Sequence, residues 1–462
     1  MEPHQPSHLN ADDRSTASRR KFIRQAAAGT AGGTAIFSSP LARQAHAAQA
    51  DETLKVALIG CGGRGTGAAV QALSTEGRVK LWAMADAFGD RLESSLSSMQ
   101  RANPGRYDRD AGPSLASKID VPPERRFIGL DGFQKAINSG IDVAIITAPP
   151  AFRPQHFEYA VNAGKHVFME KPLATDAHGV RRILASAAAA KEKNLKIGVG
   201  LQRHHSPAYQ SAIQQIQEGA IGKVSAMRCF WNTSAPAKTP VKREESISEL
   251  QHQLRNWYFF HWLSGDHICE QHIHNLDVCN WVMNQYPIKA EGMGGRQVRV
   301  GKEYGDIYDH HAVLYTYSDG TTMHSYCRQI RGCKNLVAEY VEGTNGSAEL
   351  GTNRCTLLRD QETIWQSPKD PKSPYQIEND VLFNAIRNDL PHNEAKNGAM
   401  STMTAILGRL ATYSGKVISW DDALASDRRL TVDAMNWEDD APLGPNEQGD
   451  YPIAMPGVTK VL

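Results

Sequence analysis

A lysine and a carboxylate stand side by side in Glu170-Lys171-Pro172, directly after the apolar run 166–169. Removal of a hydride from a secondary alcohol needs a base for the hydroxyl proton and a cation for the developing alkoxide. A desolvated lysine beside a cationic ring serves both needs, because its pKa falls toward ~7–8. We therefore predict that Lys171 is catalytic and that Glu170 positions it. The alternative is an ordinary solvated lysine at a strand end.

A second concentration of polar residues lies between Ser264 and Asn284, where the pattern predicts one continuous helix. On such a helix His267, Glu270 and His274 share a face, because they recur at intervals of three and four. Histidine titrates near ~6.5, so we predict His274 as the proton acceptor. Glu270 is predicted to orient it or to bind substrate. The same residue types bind metal ions, but no Cys-rich or His-Glu-x-x-His arrangement occurs, so no metal is predicted. Some of these histidines can instead be structural.

The elements that must position these residues begin with a glycine-rich turn. The β-rich run 54–59 leads into Gly60-Cys61-Gly62-Gly63-Arg64-Gly65, and a helix-like stretch follows. In such a turn the first glycine allows a tight bend and the second lets the backbone approach a pyrophosphate. The third allows close packing of helix and strand, and the helix N-terminus faces the phosphates. The pattern predicts a dinucleotide site that includes Gly60, Gly62, Gly63, Arg64 and Gly65; a glycine turn without a ligand is the alternative.

An acidic residue, Asp86, closes the second β-rich run. Its spacing from the glycine turn is that of a carboxylate that binds the adenosine ribose. A carboxylate accepts a hydrogen bond from the 2′-hydroxyl and repels a 2′-phosphate, so we predict NAD as the cofactor. NADP is the alternative, because the cationic side chains of Arg64 and Arg91 suit a 2′-phosphate.

Two patterns divide the chain after residue 50. From 51 to 200, β-rich runs alternate with helical stretches, which predicts an α/β Rossmann domain with a parallel, doubly wound sheet. From 201 to 462, short runs follow one another with polar turns, and Asp319-Gly320 is a hairpin signal. This part is predicted to be an α/β domain with an open, mostly antiparallel sheet, for substrate binding and oligomerisation. In an open parallel sheet, ligands lie beyond the carboxyl ends of the strands, where Lys171 would stand.

Residues 1–50 form a different kind of sequence. The run Ser18-Arg19-Arg20-Lys21-Phe22 precedes a weakly apolar, glycine-containing stretch and then Ala45-His46-Ala47. A basic region, an apolar region and a small-x-small site describe an export signal, and paired arginines before a phenylalanine indicate the twin-arginine route. We expect a signal peptide and linker here, and a protein that is periplasmic or otherwise exported. A disordered basic N-terminus is the alternative.

The charges of the chain are balanced, with 51 basic and 50 acidic residues and a formal net charge of +1. This balance offers no electrostatic footprint for nucleic acid or an anionic membrane. Beyond residue 50 no apolar run approaches the roughly 18 residues that a membrane-spanning helix needs. We therefore expect a small-molecule partner, no nucleic acid and no membrane span in the mature protein.

Several motifs together resemble the Gfo/Idh/MocA family, named after glucose–fructose oxidoreductase, inositol dehydrogenase and a rhizopine-catabolism protein. They are the glycine turn, Ala148-Pro149-Pro150, Ala163-Gly164-Lys165-His166-Val167, Glu170-Lys171-Pro172, His274-Asn275-Leu276-Asp277 and Tyr413-Ser414-Gly415-Lys416. The likeness covers nearly all of the chain after the signal. It implies a Rossmann domain, a second domain with an open antiparallel sheet, and NAD(P)-linked oxidation or reduction of a sugar or cyclitol carbon.

The resemblance also implies roles for individual residues. In the family the lysine of Glu-Lys-Pro, here Lys171, contacts both the nicotinamide and the substrate hydroxyl, and its proline follows a cis peptide. The family's helix usually carries an aspartate four positions before its histidine, whereas this chain has the longer Glu270. Further predicted contacts are Pro149, Glu170 and Lys171 for the cofactor, and His267, His272, Arg203 and His204 for the substrate. For Gln202–His205 an interdomain hydrogen-bond cluster is an equal alternative.

Three functions are consistent with these observations. The first is an NAD(P)-dependent oxidoreductase that transfers hydride between the nicotinamide and a secondary hydroxyl of a sugar or polyol. The second is an NAD-dependent glycosidase, similar to the α-N-acetylgalactosaminidase branch, in which transient oxidation of a ring carbon allows elimination of the glycosidic bond. The third is a non-catalytic sugar- or NAD-binding protein. We favour the first, because Glu-Lys-Pro and the histidine spacing fit dehydrogenases better, and we expect a homo-oligomer formed through an exposed sheet face.

Overall fold

The computed structural model describes residues 52–101, 115–236, 238–244, 246–370, 372–431 and 435–462. The predicted export signal, within residues 1–50, lies outside the described residues. Among the helices of the described part, none is both long enough and apolar enough to cross a membrane.

The first sheet has six strands in the order β3-β2-β1-β4-β5-β6, and every pairing in it is parallel. Its strands are β1 Leu54–Ile59, β2 Val79–Asp86, β3 Arg126–Ile128, β4 Val143–Ile146, β5 His166–Met169 and β6 Ile197–Val199. The helices of this part are α1 Gly63–Leu73, α2 Gly89–Gln100, α3 Gly132–Ile137, α4 Arg153–Asn162 and α5 Ala177–Glu192. The strand order reverses between β1 and β4, which is the switch point where such sheets bind ligands. The predicted doubly wound Rossmann sheet is confirmed.

The second sheet has nine strands in the order β14-β13-β12-β11-β7-β10-β9-β8-β15. Its strands are β7 Val224–Thr233, β8 Lys289–Gly295, β9 His310–Thr316, β10 Thr322–Gln329, β11 Leu336–Gly343, β12 Gly346–Leu350, β13 Cys355–Arg359, β14 Glu362–Gln366 and β15 Ile418–Ser419. Only β7 and β10 pair in parallel, and the other described pairings are antiparallel. The predicted open, mostly antiparallel sheet is therefore confirmed.

The described α-helices of the second part are α6 Pro207–Gln217, α7 Glu249–Arg255, α8 His261–Ser264, α9 His267–Glu270, α10 Ile273–Met283, α11 Pro374–Arg387, α12 Ala395–Ser414 and α13 Trp420–Ala425. Of these, α6, α10 and α12 pack on one face of the nine-stranded sheet. Leu276 of α10 and Ile406 of α12 belong to one apolar cluster with Val313 and Met323 of the sheet. On the other face the side chains are half-buried or exposed, as the alternation of buried and more accessible residues along β9 and β10 shows.

The predicted single helix between Ser264 and Asn284 is wrong, because the structure breaks it into α8, α9 and α10. Gly265 ends α8 at φ +80° in the left-handed region, and Asp266 follows at φ +70°. The Asp266 carboxylate stabilises this conformation, since it accepts hydrogen bonds from the Tyr308 backbone at 2.9 Å and the Tyr413 hydroxyl at 2.6 Å. A second interruption, at Gln271 and His272, separates α9 from α10, so His267 and His274 lie on separate helices.

One helix from late in the chain packs on the first sheet. Leu382 and Phe383 of α11 are buried in the same apolar cluster as Val56, Leu58 and Val143 of β1 and β4. The core around the Rossmann sheet therefore includes a segment far beyond residue 200. Local periodicity predicts that such a helix exists, but it does not predict which sheet the helix covers.

Leu382→Ala should destabilise the protein by about 2–5 kcal/mol, because it leaves a cavity in a closely packed cluster. The fully buried Leu382 has a matched control in Val381, which lies on the same helix and is 38% exposed. Chemical denaturation of the two variants measures the effect. Equal, small losses for Leu382→Ala and Val381→Ala would contradict the packing of α11 described above.

Candidate active site

A cavity of about 400 Å³ opens where the carboxyl ends of the first sheet face the second part of the chain. All nine residues predicted to bind the cofactor line it: Gly60, Gly62, Gly63, Arg64, Gly65, Asp86, Pro149, Glu170 and Lys171. From the second part the lining includes Trp231, Lys238, Trp257, Glu270, Gln271 and His274. The sequence patterns at the glycine turn, at Glu-Lys-Pro and at His274 therefore meet in one place.

The glycine turn has the shape that a bound pyrophosphate requires. Gly60 lies at φ +95°, and an added Cβ there would be 2.4 Å from the Ala148 backbone nitrogen. A Cβ on Gly65 would be 2.1 Å from the Gly60 carbonyl oxygen, so helix and strand approach too closely for any side chain. At Gly62 and Gly63, by contrast, a Cβ would meet nothing within 4 Å. Since no side chain caps α1, its first N–H groups are available to a phosphate.

Asp86 lies at the end of β2, beside the glycine turn. Its carboxylate accepts hydrogen bonds from the backbone nitrogens of Cys61 at 2.6 Å and Phe88 at 2.9 Å. Burial raises the pKa of Asp86, although these backbone hydrogen bonds oppose the shift. The two amides fix the carboxylate at the cavity wall, where it fits the role of a ribose acceptor.

The two arginines that kept NADP as an alternative have other partners. Arg64 Nε lies 2.8 Å from Glu170 Oε1, and its guanidinium lies 4.9 Å from the centre of the Tyr375 ring. Arg91 donates a hydrogen bond to the Arg255 carbonyl at 3.2 Å. The charge of Arg64 is thus paired with Glu170, whereas Arg91 keeps its charge and most of its N–H donors.

Lys171 is held by the second part of the chain. Its Nζ donates a hydrogen bond to the Glu270 carbonyl and lies 3.3 Å from Glu270 Oε1. The predicted role of Glu170 needs correction, because its Oε1 pairs with Arg64. Its Oε2 reaches only the Lys171 backbone nitrogen, at 3.3 Å. Glu170 thus fixes the backbone, whereas Glu270 fixes the ammonium. The Lys171–Pro172 peptide is cis, as the resemblance implies.

His274 lies in the same cavity, stacked on Trp231 with ring centres 5.9 Å apart. Burial lowers the pKa of His274 well below its usual value, and the positive charges of Lys171, Arg203 and Arg64 lower it further. Its imidazole is therefore neutral at ordinary pH and can accept a proton. Glu270 was predicted to orient His274, but its carboxylate bonds instead to Lys171 and to the Gln271 amide.

The two other histidines of this segment lie outside the cavity lining, and their predicted substrate contacts are corrected. His267 is fully buried beside Asp266 and His311. His272 is also fully buried, and its Nε2 lies 2.8 Å from the Ser325 hydroxyl of β10. The continuous helix assumed for these predictions is interrupted between α9 and α10, at Gln271 and His272.

Arg203 and His204 also lie outside the cavity lining, and their partners belong to the second part of the chain, so a hydrogen-bond cluster within that part describes them better. The Arg203 guanidinium forms a buried ion pair with Glu339 of β11. His204 stacks on Trp281 with ring centres 4.3 Å apart, and its Nε2 lies 2.8 Å from Asp277 Oδ2. Burial opposes protonation of His204, but Asp277 and Glu394 outweigh it and raise its pKa.

One group of metal-ligating residue types occurs in the described part of the chain, formed by Asp266, His267 and His311. All three side chains are buried and lie outside the cavity lining. The Asp266 carboxylate already accepts hydrogen bonds from Tyr308 and Tyr413. The group lies at the helix break, where these bonds give Asp266 a structural role.

The cavity residues that the sequence analysis missed include Trp231, Lys238, Gln271 and Tyr375. Trp231 lies near the end of β7, where its aromatic ring was a usable signal for sugar stacking. Tyr375 opens α11, whose position over the first sheet no local pattern indicates. Lys238 lies in a loop without a motif, so nothing near it in the sequence points to a ligand.

Comparisons with known proteins agree with this geometry. Residues 54–201 match the Gfo/Idh/MocA oxidoreductase family with its NAD-binding Rossmann fold, and residues 209–349 match the C-terminal domain of the same family. The chain belongs to the Gfo/Idh/MocA oxidoreductase family. Its first domain is an NAD-binding Rossmann domain, which the open glycine turn and Asp86 fit.

The individual relatives have low sequence identity to this chain. An inositol 2-dehydrogenase from Acidiphilium cryptum is 25% identical over 186 residues, which cover 40% of the chain and about half (47%) of that protein. A 1,5-anhydro-D-fructose reductase from Ensifer adhaerens is 24% identical over 343 residues, or 68% of the chain and 94% of that protein. The structure of a scyllo-inositol dehydrogenase from Lactobacillus casei with NAD(H) and scyllo-inositol has a TM-score of 0.56 at 20% identity. It covers 80% of this chain and 100% of that one, and it supports the fold.

Gly62→Ala should leave folding unchanged but weaken NAD binding by about tenfold or more. A Cβ at Gly62 meets no protein atom within 4 Å, yet it would enter the space that the pyrophosphate needs. Calorimetric titration with NAD measures the affinity, and thermal unfolding of the unliganded protein reports on folding. Gly444→Ala is the control, because its Cβ also meets nothing and it lies outside the cavity lining. Wild-type affinity in Gly62→Ala would place the pyrophosphate elsewhere.

Proposed function

We propose that this protein is an NAD(P)-dependent oxidoreductase that transfers hydride between the nicotinamide and a secondary hydroxyl of a sugar or polyol. One observation carries the proposal: the Lys171 ammonium and the neutral His274 imidazole line the same cavity as the glycine turn. The named activities of the relatives, an inositol dehydrogenase and an anhydrofructose reductase, support a polyol or sugar as substrate.

The residues of the cavity divide the chemistry between them. The nicotinamide, when bound, accepts or supplies the hydride. Lys171 Nζ stabilises negative charge on the substrate oxygen, because Glu270 holds the ammonium in a mostly water-excluded position with 11% of the lysine side chain exposed. His274 accepts the hydroxyl proton during oxidation and returns it during reduction. Trp231 offers an aromatic face to the apolar side of a sugar ring.

Lys171→Met should reduce kcat by about 10²- to 10⁴-fold while NAD binding is retained, because the variant removes charge stabilisation and keeps the side-chain length. His274→Gln should show a loss of similar size. The measurement is NADH formation or consumption with a panel of cyclitols, aldoses and anhydrosugars. Lys191→Met, at an exposed position of α5, is the control.

The same assay distinguishes the alternative functions. Release of sugar from a chromogenic glycoside without net NADH would favour the oxidation–elimination glycosidase. Binding of sugar without turnover on any substrate would favour a non-catalytic binding protein. Full activity of Lys171→Met would contradict the assignment of roles above.

We also propose NAD rather than NADP as the preferred coenzyme, on the strength of the Asp86 carboxylate. Asp86→Ser should lower the ratio of NADP to NAD dissociation constants by about tenfold or more, because it removes the repulsion of a 2′-phosphate. Titration with both coenzymes measures the ratio, with Asp131→Ser, an exposed residue, as the control. An unchanged ratio would contradict the role of Asp86.

Export by the twin-arginine route stays a proposal that rests on the N-terminal sequence alone. Arg19-Arg20 precede Phe22 and a weakly apolar stretch, the arrangement typical of that signal. The route carries folded proteins, so a coenzyme bound before export could travel with the chain.

A homo-oligomer formed through the second sheet is likewise a proposal. The face of the sheet that the helices leave uncovered carries Phe230, Tyr326 and Tyr340 in mutual ring contact. Tyr326 is 37% exposed, and a second copy of the chain would bury these rings.

A further inference from the structure

The cationic side chains of the cavity differ in whether they have a partner within the protein. Five of them line it: Arg64, Arg91, Arg153, Lys171 and Lys238. Arg64 and Lys171 have carboxylate partners, as described above. Arg91 and Arg153 donate hydrogen bonds to backbone carbonyls. Lys238 has neither a hydrogen bond nor an ion pair within the described part of the chain.

An ammonium without a partner at a cavity wall is costly, since water is partly removed from it and nothing replaces the water. Burial lowers the pKa of Lys238, and Arg91 lowers it further, while Glu270 opposes the shift. Lys238 lines the same cavity as Asp86 and Arg91 of the first domain and as Lys171 and Glu270.

The segment that carries Lys238 leads into α7, which contacts the first domain close to Asp86. The last residue of α7, Arg255, forms two contacts of 3.1 Å with the Asp90 carboxylate of α2. The Arg255 guanidinium also lies 4.0 Å from the centre of the Phe88 ring. Leu254 and Trp257, on either side of Arg255, line the cavity. The second domain therefore closes over the groove where the adenosine half of a dinucleotide would lie.

We propose that Lys238 binds the pyrophosphate of the dinucleotide, so that the second domain completes the coenzyme site. This inference rests on the proposed function. The glycine turn offers backbone N–H groups to one side of the pyrophosphate, and the cation nearest to that turn, Arg64, is neutralised by Glu170. A ligand that carries two negative charges in the cavity would supply the partner that Lys238 lacks.

An anionic group on the substrate is the competing partner for the same ammonium. Lys238 would then contact a carboxylate or phosphate of the sugar. If Lys238 binds the pyrophosphate, its charge determines the affinity for the coenzyme. If it binds an anionic group of the substrate, its charge determines the affinity for the substrate.

Calorimetric titration of wild type, Lys238→Met and Lys238→Arg with NADH, ADP and adenosine tests the proposal. We expect Lys238→Met to weaken NADH and ADP binding by roughly 10- to 100-fold and to leave adenosine binding unchanged. Lys238→Arg should restore most of the affinity, because it keeps the charge. Lys242→Met, an exposed lysine of the same loop, is the matched control and should bind all three ligands like wild type.

Two results would overturn the proposal. Unchanged affinity of Lys238→Met for NADH and ADP would exclude the pyrophosphate contact, and a raised KM would then assign Lys238 to the substrate. An equal loss for adenosine would indicate a general disturbance of the loop. Failure of the wild-type protein to bind any of the three ligands would instead contradict the proposed function itself, before any variant is considered.

Discussion

The contact between Lys171 and Glu270 joins the two domains at the proposed catalytic site. Lys171 stands at the end of a Rossmann strand and Glu270 ends a short helix of the second domain, and their side chains are 11% and 12% exposed. The lysine ammonium is thus fixed by a residue that also faces the substrate space. Without this contact the cavity would have a coenzyme groove on one side and an imidazole on the other, with no group fixed between them.

The position of Glu270 depends in turn on the helix break before it. Gly265 and Asp266 turn the chain at positive φ, and hydrogen bonds from Tyr308 and Tyr413 to Asp266 hold the turn. The helix α9 ends at Glu270, and the interruption that follows at Gln271 and His272 leaves the Glu270 carbonyl to Lys171. In a continuous helix that carbonyl would accept a hydrogen bond from the His274 backbone nitrogen. The buried polar cluster around Asp266 therefore supports the site without contacting the cavity.

The fold and the coenzyme side of the site could be predicted from the sequence, because they depend on local patterns. Alternating strands and helices and the spacing of Gly60, Gly62 and Gly65 need only the chain on either side of them. The substrate side was predicted less well. His267 was placed on one face with His274 by helical periodicity, which failed because the segment divides into α9 and α10. His272 lies in the interruption between these helices and contacts Ser325 of β10. Lys238 and Tyr375 reach the cavity through the packing of distant segments, which no local pattern records.

Transfer of deuterium from NADH labelled at the reactive C4 position tests the central claim most directly. The label is followed by mass spectrometry of the sugar or polyol after incubation with the protein. If the coenzyme lies with its nicotinamide against Lys171, deuterium will move to the carbonyl carbon of an aldose, a ketose or an oxidised cyclitol and appear on a single carbon of the alcohol product. Bound NADH that keeps all of its deuterium in the presence of every such carbonyl compound tried would contradict the account.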